Sequence, residues 1–359
     1  TTGTGNITLG NNVTVTVRNL STDSSFTGGF SVRGDIGGTY GITVSGNGIM
    51  VLRGNNTFSG GVTLDQGRLM INGDQGLGTG LFTINSGTIG NTSGGTRTII
   101  TNNSQLWNGD FTYNGYFEKG NVTNELTLNM GNGSVTMNGN RTVTTVNGTL
   151  SIGGNITGSG ALTKNGTGTL ALSGSNTMGG LTLNEGTLDI QSNNALGNKI
   201  LTINSGTIAN SSNTSIEIAG TTYQWNGNFS FTGSNTLDLG LGKVTLNRTL
   251  TTTIDKSSLI VQGIISGNYG LTKAGNGTLT LLGNNIFSGG LVLDGGRLNV
   301  NSNRALGNGT LTINSGTIGN NSGALKTVAT NNQQIWNGDF AYVGPQDLNL
   351  GNGSVTMVG

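Results

Sequence analysis

Ile84-Asn85-Ser86-Gly87-Thr88-Ile89 returns as Ile203 to Ile208 and again as Ile313 to Ile318, at offsets of 119 and 110 residues. Trp107-Asn108-Gly109-Asp110-Phe111 keeps nearly the same intervals, 118 and 111, at Trp225 to Phe229 and Trp336 to Phe340. Phrases that travel together at one long interval mark a repeat architecture in which each copy inherits the same surroundings. An insertion near Tyr116 to Thr123 accounts for the longer first interval.

Inside each long unit runs a shorter beat, Gly-x-apolar followed by alternation. It falls at Gly168, Gly186, Gly206, Gly227, Gly242 and Ser257, and restarts at Gly277. Around each beat apolar residues alternate with small or polar ones: Leu170 and Leu172 flank Ala171, Leu181 and Leu183 flank Thr182, Leu188 and Ile190 flank Asp189. Period-two alternation is the pattern of short half-buried strands, and no stretch carries a 3.6-residue apolar period. Asn-Gly and Gly-Gly pairs between the runs supply the positive φ that tight corners need.

Asn-Gly between alternating runs is also a hairpin signal, so an antiparallel meander is the competing fold. A meander has no reason to repeat one phrase at every level, whereas a parallel coil stacks like on like. The expected fold class is therefore all-β, a parallel β-helix (β-solenoid) of about 19 rungs of roughly 18 residues. The handedness of parallel crossovers and the lack of a six-residue repeat predict the right-handed form. The chain reads as a single continuous solenoid over 1–359, with a partial unit 1–41 and repeat units 42–161, 162–270 and 271–359. Gly5-Asn6-Ile7-Thr8-Leu9 stands at the same phase as Gly133 to Met137 and Gly353 to Met357, which predicts a fibre segment or a protomer that stacks end to end.

Leu162-Thr-Lys-Asn-Gly-Thr-Gly-Thr-Leu170, continuing through Gly174 to Gly180 and Glu185-Gly-Thr-Leu188, resembles the autotransporter-associated β-strand repeat, also called the passenger-associated transport repeat. A second copy stands at Leu271 to Leu298, with Lys273, Gly275, Asn285 and Gly289-Gly290 in matching places. Ile42 to Leu69 is a weaker copy, with Thr43-Val44-Ser45 at the Thr-Lys position. The resemblance implies a right-handed β-helical passenger exported across the outer membrane of a bacterium and displayed extracellularly.

Composition narrows the chemistry. Of 359 residues 67 are Gly, one is Pro (Pro345), none is His or Cys, and only 9% are charged against roughly 25% in ordinary globular proteins. Without His or Cys the commonest general bases, thiol nucleophiles and zinc ligands are missing, so the chain reads as no enzyme, with no catalytic, cofactor-binding or metal residues. Glu185 and Asp189 form the best acid pair for glycosidic cleavage, with solvated corner residues the preferred reading. Asp65, Asp294, Asp110 and Asp339 recur at repeat positions where the second unit has Asn184 and Asn228, so they do not behave as unique catalytic acids. Calcium is a lesser alternative for them, because the nonapeptide of calcium-binding rolls is absent.

The 16 Lys and Arg are scattered through a chain of net charge +1, which gives no stripe for nucleic acid. No apolar run reaches the ~20 residues of a membrane helix, so no membrane insertion by this segment is expected. Trp107, Trp225 and Trp336 are expected to plug the core or a corner rather than stack on a sugar. Leu170, Leu188, Leu279, Leu298, Ile208 and Ile318 are the expected core positions of the repeat. Asn102-Asn103 and Asn331-Asn332 are expected to form stacked amide ladders. The expected function is a non-catalytic extracellular fibre or adhesin-like stalk of a bacterial surface protein. Its expected partners are other copies end to end, a surface glycan or a host or matrix component. The alternative is a β-helix that binds or cleaves carbohydrate.

Overall fold

A computed structural model describes residues 5–19, 29–119 and 122–358, among which there is no helix. Two compact units, 1–179 and 180–359, divide the chain.

In the first unit the coil lays down short strands on three faces, two of them carrying a strand at more levels than the third. One face stacks Val13–Thr16, Ile42–Ser45, Val62–Leu64, Phe82–Ile84, Gln105–Trp107, Val135–Met137 and Ile156–Thr157. The next stacks Gly29–Val32, Ile49–Leu52, Arg68–Ile71, Thr88–Gly90, Phe111–Asn114, Arg141–Asn147 and Ala161–Asn165. A third holds Arg97–Thr98, Thr127–Asn129, Thr149–Ile152 and Thr169–Leu172. Stacked neighbours run parallel, as Ile42 on Val62 on Phe82 illustrates. The expected insertion is an antiparallel hairpin, Tyr116–Lys119 with Val122–Glu125.

The second unit repeats this plan. Its first face carries Gly180–Leu183, Ile200–Ile203, Thr222–Trp225, Val244–Leu246 and Ile265–Ser266. The second begins with Thr187–Ile190, Thr207–Ala209, Phe229–Phe231, Leu250–Ile254 and Leu271–Ala274, and the third with Ile216–Glu217, Leu237–Asp238, Ser258–Val261 and Thr278–Leu281. Leu291–Val300 and Leu311–Gly319 are each long enough to serve both of these faces, bending at a register shift. Alternation in each strand sends one side chain in and the next out, so the inward residues pile into apolar columns. Leu259, Leu279, Leu298 and Ile318 form one such column, and Leu250, Leu271, Leu291 and Leu311 another.

The coil makes about 15 turns, fewer than the 19 expected from the sequence. A turn takes 20 residues from Ile42 to Val62 and 21 from Val135 to Ile156. The glycine beat undercounts the turn because glycines mark more than one corner. Gly227 sits where a Cβ would meet the Asn204 carbonyl, between the first and second faces, whereas Gly242 abuts the Thr221 carbonyl at the corner before the first face. Their spacing is part of a turn.

The same mismatch moves the repeat around the coil. From Ile42 the first face of unit one is climbed in five steps, through Val62, Phe82, Gln105 and Val135 to Ile156. Leu162, the counterpart of Ile42 one repeat later, then lands on Arg141 in the second face. In the second unit Leu181 climbs through Leu201, Tyr223 and Val244 to Ile265, and Leu271 lands on Leu250 in the adjoining face. One repeat is therefore five turns and a third.

Candidate functional site

The corner that follows the repeat's Leu-Asx step is built alike in all three copies. In the first unit Asn85 Nδ2 donates to Asp65 Oδ1 at 3.1 Å, Asn108 Nδ2 to Asn85 Oδ1 at 2.9 Å, and Asn138 Nδ2 to Asn108 Oδ1 at 2.7 Å. In the second unit the same ladder runs Asn184, Asn204, Asn226, Asn247, and a shorter one runs Asp294, Asn314, Asn337. Each amide donates to the turn before it, so the first residue of a ladder need only accept. A carboxylate and an amide oxygen do that equally, which is why Asp65 and Asp294 correspond to Asn184. The aspartates after Trp-Asn-Gly follow the same logic: Asp110 Oδ1 accepts from the Thr142 N–H and Asn228 Oδ1 from the Thr251 N–H, both at 2.8 Å. These oxygens organise backbone, and among the described residues no group of three acidic side chains gathers to hold a metal.

The ladders do not run through the Asn-Asn pairs expected to form them. Asn102 and Asn331 occupy the left-handed region, with φ of 48° and 49°, and shape the corner by backbone conformation. Asn103 is buried and donates to the Gly78 and Gly80 carbonyls, as Asn332 does to Gly307 and Gly309. Adjacent asparagines point to different sides of a turn, whereas a ladder requires asparagines one turn apart.

The tryptophans face inward. Trp107 and Trp225 are fully buried, and Trp336 is half-buried beside Met357 and Val358. Each meets the phenylalanine four residues later edge-to-face across a corner, at 5.0, 4.9 and 5.1 Å between centroids. The intervening glycine is obligatory, since a Cβ on Gly109 would lie 1.7 Å from the Asn85 carbonyl oxygen. Trp107 and Trp336 donate their indole N–H to Gln105 and Gln334 at 3.2 Å, whereas Tyr223 replaces that glutamine beside Trp225 and leaves its N–H unpaired. Leu170, Leu188, Ile208, Leu279, Leu298 and Ile318 are all buried, Leu170 over Leu150 and Leu188 against Ile208.

Lys164 and Lys273 are fully buried at the inward phase, where the first repeat has buried Val44. Lys273 Nζ folds back to donate to the carbonyls of Ala274, Gly275 and Gly295 at 2.9, 2.7 and 3.1 Å, and Lys164 donates likewise to Asn165 and Gly166. Burial pulls the Lys273 ammonium down to about 8, with the Asp255 charge opposing. Sequence reasoning placed these lysines only as repeat positions and did not foresee their burial. Their signal was Leu-x-Lys alternation at a place where Val44 stands in the first copy.

Of the acid pair weighed from the sequence, Glu185 and Asp189, only Asp189 is buried. Asp189 is buried and occupied, accepting from Gln191 Nε2 at 2.8 Å and from both the N–H and hydroxyl of Ser211, while Glu185 is exposed. A second pair emerges at Glu217 and Asp238, stacked on neighbouring turns and bridged by Gln262 Nε2. Burial raises the Asp238 carboxyl above its ordinary value, and the nearby Glu217 adds to the shift.

Comparison with known proteins identifies the repeated corner. The passenger-associated-transport-repeat family model matches residues 42–71, 162–190 and 271–300. Over 73 residues the chain is 42% identical to the adhesin BmaC autotransporter of Brucella suis biovar 1 (strain 1330), a match that covers 20% of this chain and 2% of that protein. No solved structure matches the chain. Each matched segment opens on the inward Val44, Lys164 or Lys273 strand and contains the head of one ladder, so the chain is a β-solenoid that carries three segments matching the passenger-associated-transport repeat and is similar in part to an autotransporter adhesin.

Proposed function

We propose that this chain is a non-catalytic stretch of a bacterial surface passenger, held outside the cell as a stalk that spaces or presents adhesive surface. The observation that carries the reading is the use of recurring polar residues for the coil itself. Asp65, Asp110, Asn228 and Asp294 brace neighbouring turns, Lys273 ties a corner, and Asp189 is consumed by Ser211 and Gln191. A sequence that spends recurring polar groups on stacking suits a part whose task is to fold without staples and stay extended. Similarity to an autotransporter adhesin supports the extracellular setting.

Protease added to intact cells producing the full-length protein tests the location. Fragments carrying this chain should disappear from whole cells before lysis. Cleavage that begins only after lysis would refute display. Glycosidase assays test the absence of catalysis, and turnover that is lost in Glu185→Gln would overturn that part of the reading.

A further inference from the structure

The third repeat departs from the other two at one corner of the second unit, just before the strands that begin at Leu291 and Leu311. There a groove of about 400 Å³ opens across three consecutive turns. Its floor is backbone, because the glycines beneath it admit no side chain. A Cβ on Gly289 would lie 2.2 Å from the Tyr269 carbonyl carbon, and one on Gly309 would lie 2.3 Å from the Gly290 nitrogen. Its walls carry Ser288, Thr310, Thr312 and Gln333, whose side chains make no hydrogen bond to other described residues, and no charged residue lines it.

Corresponding corners are different. Where the third repeat has Thr310, the first has Leu81 and the second Ile200, each nearly half exposed. Where it has Gln333, they have Ser104 and Thr222. Stacking does not demand Thr310 or Gln333 themselves, since the other copies fold with Leu81 or Ile200 and with Ser104 or Thr222 in their places. The glycine floor and the hydroxyls of Ser288 and Thr312 recur in the first copy as Gly60, Gly80, Ser59 and Thr83, so what the third copy adds is a hydroxyl at Thr310 in place of an apolar side chain and a longer amide at Gln333.

We infer that this groove is a binding site for a neutral saccharide chain laid across the turns, parallel to the stacking direction. Hydroxyl and amide groups that both donate and accept match sugar hydroxyls, and the lack of any charged group disfavours sulfated or acidic glycans. Side chains on successive turns stand ~4.8 Å apart, a spacing on the scale of one sugar ring along a chain. No aromatic platform lines the groove, so affinity in the millimolar range is expected. The inference does not depend on where the chain is displayed.

The test uses the whole chain with cellohexaose, maltohexaose and a sulfated heparin hexasaccharide as probes, read by saturation-transfer NMR and titration. At least one neutral probe should bind, and the sulfated one should bind at least roughly tenfold more weakly. Thr310→Leu combined with Gln333→Ser restores the first repeat's residues. It should weaken binding by roughly tenfold or more, as expected for two lost hydrogen bonds. Thermal unfolding of the variant would confirm that it folds. Silence with both neutral probes, equal binding of the sulfated probe, or binding unchanged in the folded variant would each overturn the inference.

Discussion

Lys273 sets a pH dependence that can be worked from its surroundings. Its side chain is fully buried, its ammonium faces three backbone carbonyls, and desolvation lowers its pKa from 10.5 to about 8. Between those two values the unfolded chain holds a proton there that the folded chain has lost. Stability must therefore rise with pH across that window and be flat below it. From pH 8 to pH 10 the linkage integral amounts to about 2 kcal/mol, and to about 1 kcal/mol if solvent at the corner screens half of the shift. Burial also raises the pKa of Tyr113 and Tyr223, which turns the trend downward above about pH 10, where unfolded tyrosines ionise first. Urea unfolding at pH 8, 9 and 10 measures the effect, with Lys273→Met as the reference. That variant keeps the stem's volume and follows the precedent of Val44 in the first repeat. Wild type should gain on the variant by about 1–2 kcal/mol between pH 8 and 10. A difference between the two that stays constant with pH, or shrinks, would refute the reasoning.

Other expectations concern single side chains. Gly109→Ala should cost about 3 kcal/mol or more, because its Cβ would fall 1.7 Å from the Asn85 oxygen; Gly95→Ala, open on all sides, should stay within about 0.5 kcal/mol by the same urea assay. Asp294→Asn should be close to neutral, whereas Asn314→Asp should cost about 1–2 kcal/mol at pH 7 by replacing the ladder's donor with a second carboxylate. Trp107→Phe should cost about 1 kcal/mol more than Trp225→Phe, since only the first loses an indole hydrogen bond, and equal thermal shifts would count against this.

Strands, parallel stacking and the inward columns were legible because they rest on alternation, which a single chain displays directly. Leu170, Leu188 and Ile208 could be placed from their phase alone. Turn length was not legible in the same way. Gly206 over Gly186 marks a full turn, but Gly227 and Gly242 mark different corners, and nothing local to a glycine says which corner it serves. The ladders were hidden for a related reason. Asn85, Asn108 and Asn138 lie 23 and 30 residues apart, so only a correct turn length with the hairpin removed brings them into line. Buried Lys164 and Lys273 contradict the usual exposure of lysine, and their carbonyl partners come from the backbone, which leaves no complementary residue type to search for.

The extra third of a turn gives these details a common consequence. Were a repeat an integral number of turns, identical corners would align and their asparagine ladders would merge into one long, flat, polar array. Such arrays of like residues at strand spacing are the surfaces through which stacked β structures adhere laterally. In the second unit the offset prevents this. The ladder from Asn184 stops at Asn247 on one corner, and the ladder headed by Asp294 starts on the next corner round. Each ladder thus spans only a few turns, and each new one opens with a residue that can only accept or need only accept. The same rotation lets one sequence be copied along the coil without any face becoming uniform, so a single copy, the third, can trade Leu81's and Ile200's counterpart for Thr310 and open a groove while its neighbours keep apolar corners.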